Sequence, residues 1–486
     1  MKSNDMLRAT LAEGGDDKPY RVGTLRYDKR GLTRLFLFFL VGGLTYSLVY
    51  QIDPRVLPII LRDRGATNKQ IAIIIGSLTV VLNSVIESVV AYNSDRSRGR
   101  WGRRIPYIFF ATPVVSLLIL AIPFAPELTA WTSRVPALAW LFTLVPWAPV
   151  ITAFAVLIVA YKIFYDVVAN IYLCLIADVV PASHLGRFNT LFRVIGAIST
   201  FVGNYWLVGL AVDHGKEVLL TVAIVNLVGF MTICFGVREG DYPPLRESPS
   251  RPSGSFPEFA HGVRDFLWEG FRHRIYVWTY ITRVLIFAAN AAMPFIVFFA
   301  HDELHVTYDR AGKLIGISSL GWIVLAYPVG KLLDRFGSVR CLHVTLLIGG
   351  LAYVLSFFLI SAEWSFLVAS VVTNTLFWTV WSCEIMIAQE LFDRTRMGQL
   401  GAANSIMKSV IIAFGTSPLT GAFLDRMGGY SGSISLPAMG SLAIGGYRFL
   451  FLLLALIYFL AALALYRVRG EWIRLGGPSA YRPPGS

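Results

Sequence analysis

Charge is scarce in this chain: 15% of its 486 residues are Asp, Glu, Lys or Arg, while 55% are hydrophobic. Globular domains carry about 25% charge, so a chain this apolar cannot cover a single water-soluble core, and a soluble catalytic domain has nowhere to fit. Cysteine is scarce too. The four, Cys174, Cys234, Cys341 and Cys383, stand singly in or beside apolar stretches, without disulfide or metal-ligand spacing. Histidines His184, His301 and His305 fall in expected loops without metal spacing. No phosphate-cradling glycine loop and no His/Asp/Cys cluster at a membrane face is present, so neither an enzyme nor a cofactor or metal site is expected. The first thirty or so residues are polar where a signal peptide needs an apolar core, so the first apolar span is expected to direct insertion.

What is abundant is runs of about 20 apolar residues, the length that crosses a 30 Å hydrocarbon layer. Twelve are expected: 35–56, 71–92, 105–124, 151–179, 188–212 and 218–237, then 275–299, 312–332, 342–361, 364–388, 397–424 and 449–466. The net charge of +13 invites a nucleic-acid reading, but the bases occupy alternate short loops, as topology requires. Lys18, Arg21, Arg26, Lys29 and Arg30 precede span 1; Arg96, Arg98, Arg100, Arg103 and Arg104 follow span 2; Lys331, Arg335 and Arg340 follow span 8; Arg467, Arg469 and Arg474 follow span 12. Both termini are therefore expected in the cytoplasm, with the protein in the plasma (inner) membrane. No nucleic-acid partner is expected, and the chain is expected to act as a monomer.

The expected organisation is a cytoplasmic segment over 1–33, a six-helix bundle over 34–238, a linker over 239–274, a second bundle over 275–467 and a tail over 468–486. Within the linker, Phe259, Val263, Phe266, Leu267 and Phe271 have the spacing of an amphipathic helix on the membrane face. The proline-rich piece 136–149 is too short to cross and is expected to be external or re-entrant. The two halves echo each other. Ala91-Tyr-Asn-Ser-Asp95-Arg96 with Trp101-Gly102-Arg103-Arg104 follows span 2, and Gly330-Lys-Leu-Leu-Asp334-Arg335-Phe-Gly337-Ser-Val-Arg340 follows span 8. Gly186, Asn189 and Arg193 open span 5 as Gly401, Asn404 and Lys408 open span 11, both as G-x-x-N-x-x-x-(R/K). Recurrence at equivalent places argues for duplication and a pseudo-symmetric transporter.

The two loop signatures resemble the G-x-x-x-D-R-x-G-(R/K)-(R/K) element of the major facilitator superfamily. Ser94-Asp95-Arg96 with Arg100-Trp101-Gly102-Arg103-Arg104-Ile105-Pro106 is similar to the glycoside-pentoside-hexuronide:cation symporters and the related sucrose:proton symporters. The first copy departs in having Ala91 for the glycine and a longer spacer. The resemblance implies an all-α membrane fold of about twelve helices in two six-helix bundles. An aspartate at a helix end paired with arginines is a charge cluster that can form and break as the halves rock, which assigns gating to Asp95, Arg96, Arg103, Arg104, Gly330, Asp334, Arg335, Gly337 and Arg340.

Ionisable groups inside spans cost several kcal/mol unless paired or hydrated, so each is a functional candidate. In the family this second helix carries a D-x-x-N-D-P-x-x-G cation site; the resemblance puts its second acid at Glu87 and its first at Asn83, so one carboxylate is missing. A lone desolvated carboxylate suits a proton better than sodium, which prefers several hard oxygen ligands. Lys162 and Asp166 are i and i+4 on span 4 and are expected to neutralise each other, with Asp166 also a coupling and substrate candidate and Lys162 also a substrate candidate. The resemblance assigns substrate contact to Arg193, whose alternative is a salt bridge to Glu87 or Asp166, and to Lys408. Arg283, Asn290, Trp378, Trp381 and Glu384 supply polar and aromatic groups at helical spacing, the combination a sugar's hydroxyls and C–H faces require.

The expected function is proton-coupled symport of a sugar or glycoside by alternating access; the rival is proton-coupled export of a drug or organic acid. A receptor has no need of a duplicated gate.

Overall fold

The computed structural model describes residues 20–22, 24–97, 99, 101–132, 134, 145–240, 271–393, 397–436, 440–477, 481 and 483–484. The 136–149 piece up to residue 144 and the linker helix up to residue 270 lie outside the described residues, as do the side chains of Glu87, Asp95, Arg96, Gly186, Asn189 and Asp334.

Twelve helices run through the described residues: α1 Lys29–Asp63, α2 68–96, α3 Ile105–Thr132, α4 Pro149–Val179, α5 182–213, α6 Gly215–Gly236, α7 Arg274–Glu303, α8 Tyr308–Phe336, α9 Ser338–Leu359, α10 Glu363–Leu391, α11 397–427 and α12 Gly446–Arg474. Among the described residues, eleven of them are long and apolar enough to cross a membrane along at least part of their length. Short hairpins flank the set. β1 (Tyr20–Val22) pairs with β2 (Leu25–Tyr27), and β3 (Ser431–Leu436) pairs with β4 (Gly440–Gly445) in register Ser431↔Gly445.

The chain tails lie against one end of the bundle: Tyr20 meets His184 at the start of α5, and the Tyr276 hydroxyl at the start of α7 donates to the Pro484 carbonyl at 3.0 Å. That end is termed proximal, the other distal. The helix α1 is longer than its apolar run at both ends. Asp28 caps it by accepting from the Gly31 amide at 2.7 Å. At Pro54, which has no amide to donate, the chain passes into a π-turn over Ile52–Val56 and continues to Asp63. Its counterpart α7 breaks similarly, with a 3₁₀ stretch over Ala289–Phe295 that contains Pro294.

Below its break, α1 is fastened to α4. The hydroxyl of Tyr172 donates to the Phe39 carbonyl at 2.5 Å and that of Tyr165 to the Tyr46 carbonyl at 3.0 Å. Gly42 makes room for this: a Cβ there would lie 2.9 Å from the Tyr172 ring.

The halves meet distally. Arg62 of α1 pairs with Asp302 of α7 at 2.5 Å. Asp425 near the end of α11 accepts from the Asn68 and Lys69 amides at 2.8 and 2.9 Å, capping α2 across the seam, and the Tyr447 hydroxyl donates to Asn68 Oδ1 at 2.9 Å. Glycine permits the close approach: a Cβ on Gly312 of α8 would stand 2.5 Å from the Asn204 carbonyl oxygen of α5. The hydroxyls of Ser84 (α2) and Ser409 (α11) meet at mid-depth. Among the described residues every hydrogen bond between the halves lies at the distal end or at mid-depth.

Candidate functional site: a buried ion triad beside a broken helix

The π-turn of α1 delivers Asp53 to α4. Lys162 Nζ lies 2.8 Å from Asp53 Oδ2 and 3.3 Å from Asp166 Oδ1, and all three residues are at most 5% exposed. Expected as a closed i, i+4 pair, Lys162 and Asp166 are instead two members of a triad whose shorter contact goes to α1. Asp53 stands at the end of an apolar run next to Pro54, the one carboxylate in the first span, and reading the span by hydrophobicity passed over it; the Asp-Pro dipeptide within 35–56 was the available signal.

The triad holds two carboxylates and one ammonium. Asp53 is buried beside the hydroxyl of Tyr161, one residue before Lys162. The Lys162 ammonium also lies 4.9 Å from the Tyr165 ring centroid. Ionised groups in such a low-dielectric site cost several kcal/mol unless paired, which is what the two contacts to Lys162 supply.

The same π-turn reaches the other half. Arg55 Nη1 donates over a long 3.4 Å to the carbonyl of Met293, inside the 3₁₀ break of α7. Asp53 and Arg55, two residues apart, thus tie one break to α4 and to the other break.

In the second half, Arg283 (α7) pairs with Glu384 (α10), rather than each standing free for a ligand. Lys408 lies 4.2 Å over the Phe287 ring, which packs edge-on against Trp381 at 4.5 Å. The indole nitrogen of Trp381 is buried without a partner. Trp378 is exposed and Asn290, in the α7 break, is half-buried. Arg193 is exposed on α5 and has no ion pair among the described residues, so the salt bridge to Asp166 offered as its alternative is not formed. Asn83 is likewise exposed on α2.

At the proximal end, the bonds of the loop arginines among the described residues include several within their own half. Arg103 and Arg104 pair with Asp178 at the end of α4 at 2.7 and 3.0 Å, and Arg104 also reaches Ser94. Glu239, read from sequence as the first linker residue, accepts from the Arg103, Arg104 and Ile105 amides at 2.9, 2.8 and 2.7 Å, capping α3. Gly102, at φ +96°, has no room for a Cβ beside that carboxylate. The second half repeats the device with Glu390 at the end of α10, which accepts from the Ser338 hydroxyl at 2.7 Å after Gly337 (φ +77°). Arg335 and Arg340 are exposed. Asp178, Glu239 and Glu390 were not singled out in the sequence, because a helix-terminal acid reads as ordinary until its partner loop is known.

Two pseudo-symmetric helical bundles around buried mid-membrane charges define a transporter built on a membrane-spanning scaffold. The chain belongs to the Major Facilitator Superfamily, whose family model matches residues 132–416. No curated protein matches it. Among solved structures it is similar to a D-xylose-proton symporter (TM-score 0.61, 14% identity, covering 89% of this chain and 97% of that one). It is also similar to the nucleoside transporter NupG (0.57, 12%, 89% and 98%) and to a bacterial homologue of the iron transporter ferroportin in an inward-facing state (0.57, 14%, 90% and 99%). At these identities the likeness concerns the fold.

Proposed function

We propose that the protein is a proton-coupled symporter of a sugar or glycoside, and that the Asp53–Lys162–Asp166 triad is its coupling site. The observation that carries this reading is the shared π-turn: Asp53 within it holds Lys162 at 2.8 Å while Arg55 within it touches Met293 of the opposite half. Protonating Asp53 loosens it from Lys162 and frees the turn that spans the halves. Lysine already occupies the position between the carboxylates that sodium would need, which favours a proton.

The sugar reading rests on the polar and aromatic groups of the second half, Asn290, Trp378, Trp381 and the Arg283–Glu384 pair, with Arg193 and Lys408 as donors from the two repeat motifs. Basic loops at the proximal end favour that end, and both termini, as cytoplasmic in the plasma (inner) membrane. The sealed distal end then faces outward.

The test is uptake into proteoliposomes of a panel of labelled glycosides under an imposed proton or sodium gradient. Accumulation driven by the proton gradient, abolished in Asp53→Asn while counterflow exchange persists, is the expected result. Sodium-driven uptake indifferent to pH would overturn the coupling reading. Proton-driven efflux of other organic molecules, with no glycoside taken up, would favour the export rival.

A further inference from the structure

The proximal end of α1 carries two adjoining depressions on the surface of the bundle. One, of about 350 Å³, is lined by Lys29, Arg30, Thr33, Arg34 and Leu37. The other, of about 480 Å³, is lined by Phe38 of α1 and by Val228, Met231, Thr232, Phe235 and Gly236 of α6. Arg34 precedes Phe38 by one helical turn on the same face of α1, which places the two depressions next to each other along the helix. One is basic and the other apolar.

Arg30 and Arg34 are exposed and hold no ion pair among the described residues. Asp28, the acid nearest in sequence, spends its carboxylate on the Gly31 amide as the helix cap. The exposed Arg21 and Arg26 of the preceding hairpin add further positive charge at this end.

The apolar part is a shallow, open trough between α1 and α6. Gly236 admits the Phe38 ring, which a Cβ would approach to 2.6 Å. Phe235 is 78% and Val228 59% exposed, and the one hydroxyl, on Thr232, donates to the Val228 carbonyl. Phe235 continues through Phe109 to Trp101, an exposed tryptophan at the level where indoles anchor in the headgroup region. Apolar residues on a lipid-facing helix need no explanation by themselves. A depression in that face ending at unpaired arginines does, and a bilayer lipid with an anionic headgroup matches both halves of it.

We propose that this groove binds one anionic phospholipid, its headgroup phosphate on Arg30 and Arg34 and one acyl chain in the trough between α1 and α6. Anchoring the proximal end of α1 in this way ties the helix that carries Asp53 to the surrounding leaflet.

The full-length protein in detergent, stripped of lipid, is titrated with phosphatidylglycerol or phosphatidylcholine and the bound lipid counted by native mass spectrometry. One phosphatidylglycerol is expected to bind about thirtyfold more tightly than phosphatidylcholine, as two surface arginines provide. Arg30→Gln/Arg34→Gln is expected to erase the preference, and Met231→Trp, which fills the trough without touching charge, to weaken both lipids. Equal binding of the two lipids by the unaltered protein overturns the proposal without any variant. So does a preference that survives the double substitution, or complete displacement of phosphatidylglycerol by millimolar inorganic phosphate, which marks a free-anion site.

Discussion

Arg62 and Asp302 are the penultimate residues of α1 and α7, and their side chains meet at 2.5 Å across the pseudo-two-fold axis. The Arg62 guanidinium also lies 4.4 Å from the Phe298 ring centroid. Each residue sits at the tip of a short helical segment, Leu57–Asp63 or Ile296–Glu303, that begins where its helix breaks. The clasp at the tips and the breaks at the roots form one mechanical unit, and the triad sits at the root on the α1 side.

Loosening the clasp tests that unit. The pair is 29% and 27% exposed, so with its aromatic contact it contributes about 1 kcal/mol, and Arg62→Ala is expected to raise distal opening about fivefold. The measurement is the alkylation rate of Ser417→Cys, a buried seam position, in a background without the native cysteines. The exchange Arg62→Asp/Asp302→Arg should restore the original rate; an unchanged rate in Arg62→Ala shows that the clasp does not hold the seam.

Glycines in the seam and in the last turns of α8 should behave differently. Gly312→Ala brings a Cβ to 2.5 Å from a backbone oxygen that cannot move aside, and overpacking of this kind costs about 1–3 kcal/mol. Gly330→Ala meets nothing within 4 Å. The expected result is distal opening, read by the same alkylation assay, in Gly312→Ala and none in Gly330→Ala. Equal effects would mean that Gly330 acts through something other than space.

The triad makes a prediction about order of removal. Lys162→Ala leaves two buried carboxylates facing each other and is expected to cost about 3–5 kcal/mol. Adding Asp53→Asn removes one of those charges, so the double variant should melt at a higher temperature than Lys162→Ala alone. Thermal unfolding in detergent decides this, and additive losses would deny that the three groups interact.

Glu239 should matter although it lies where the sequence reads as linker. Glu239→Ala withdraws the acceptor from three amides at the start of α3, at a cost of about 1–2 kcal/mol. Hydrogen exchange at Arg103, Arg104 and Ile105 is expected to accelerate, with the distal amides of α3 unchanged. Uniform acceleration along α3 would mean loss of the helix rather than of its cap.

The helices and the two-fold repeat were legible because lipid imposes a length and a composition on each span, and because Gly186-x-x-Asn189 and Gly401-x-x-Asn404 recur at equivalent places. The hairpin β3–β4 and the breaks in α1 and α7 were not: a π-turn keeps the hydrophobic pattern almost intact while displacing the residues beyond it. The site was half legible. Lys162 and Asp166 announced themselves by their spacing, but Asp53 reaches them only through the fold. Arg103 and Arg104 were legible as members of a charged loop motif, but that Asp178 and Glu239 are among their partners is something local sequence does not encode.

The cap that Asp425 places on α2 has a bearing on speed. When the halves part, the amides of Asn68 and Lys69 lose a carboxylate at the rim of the membrane, where water takes its place at the same two donors. Open and closed forms then differ little in the number of bonds made. A carrier that must visit both forms in every cycle gains more from such an even exchange than from a stronger latch, because a deep well on either side would become the slow step.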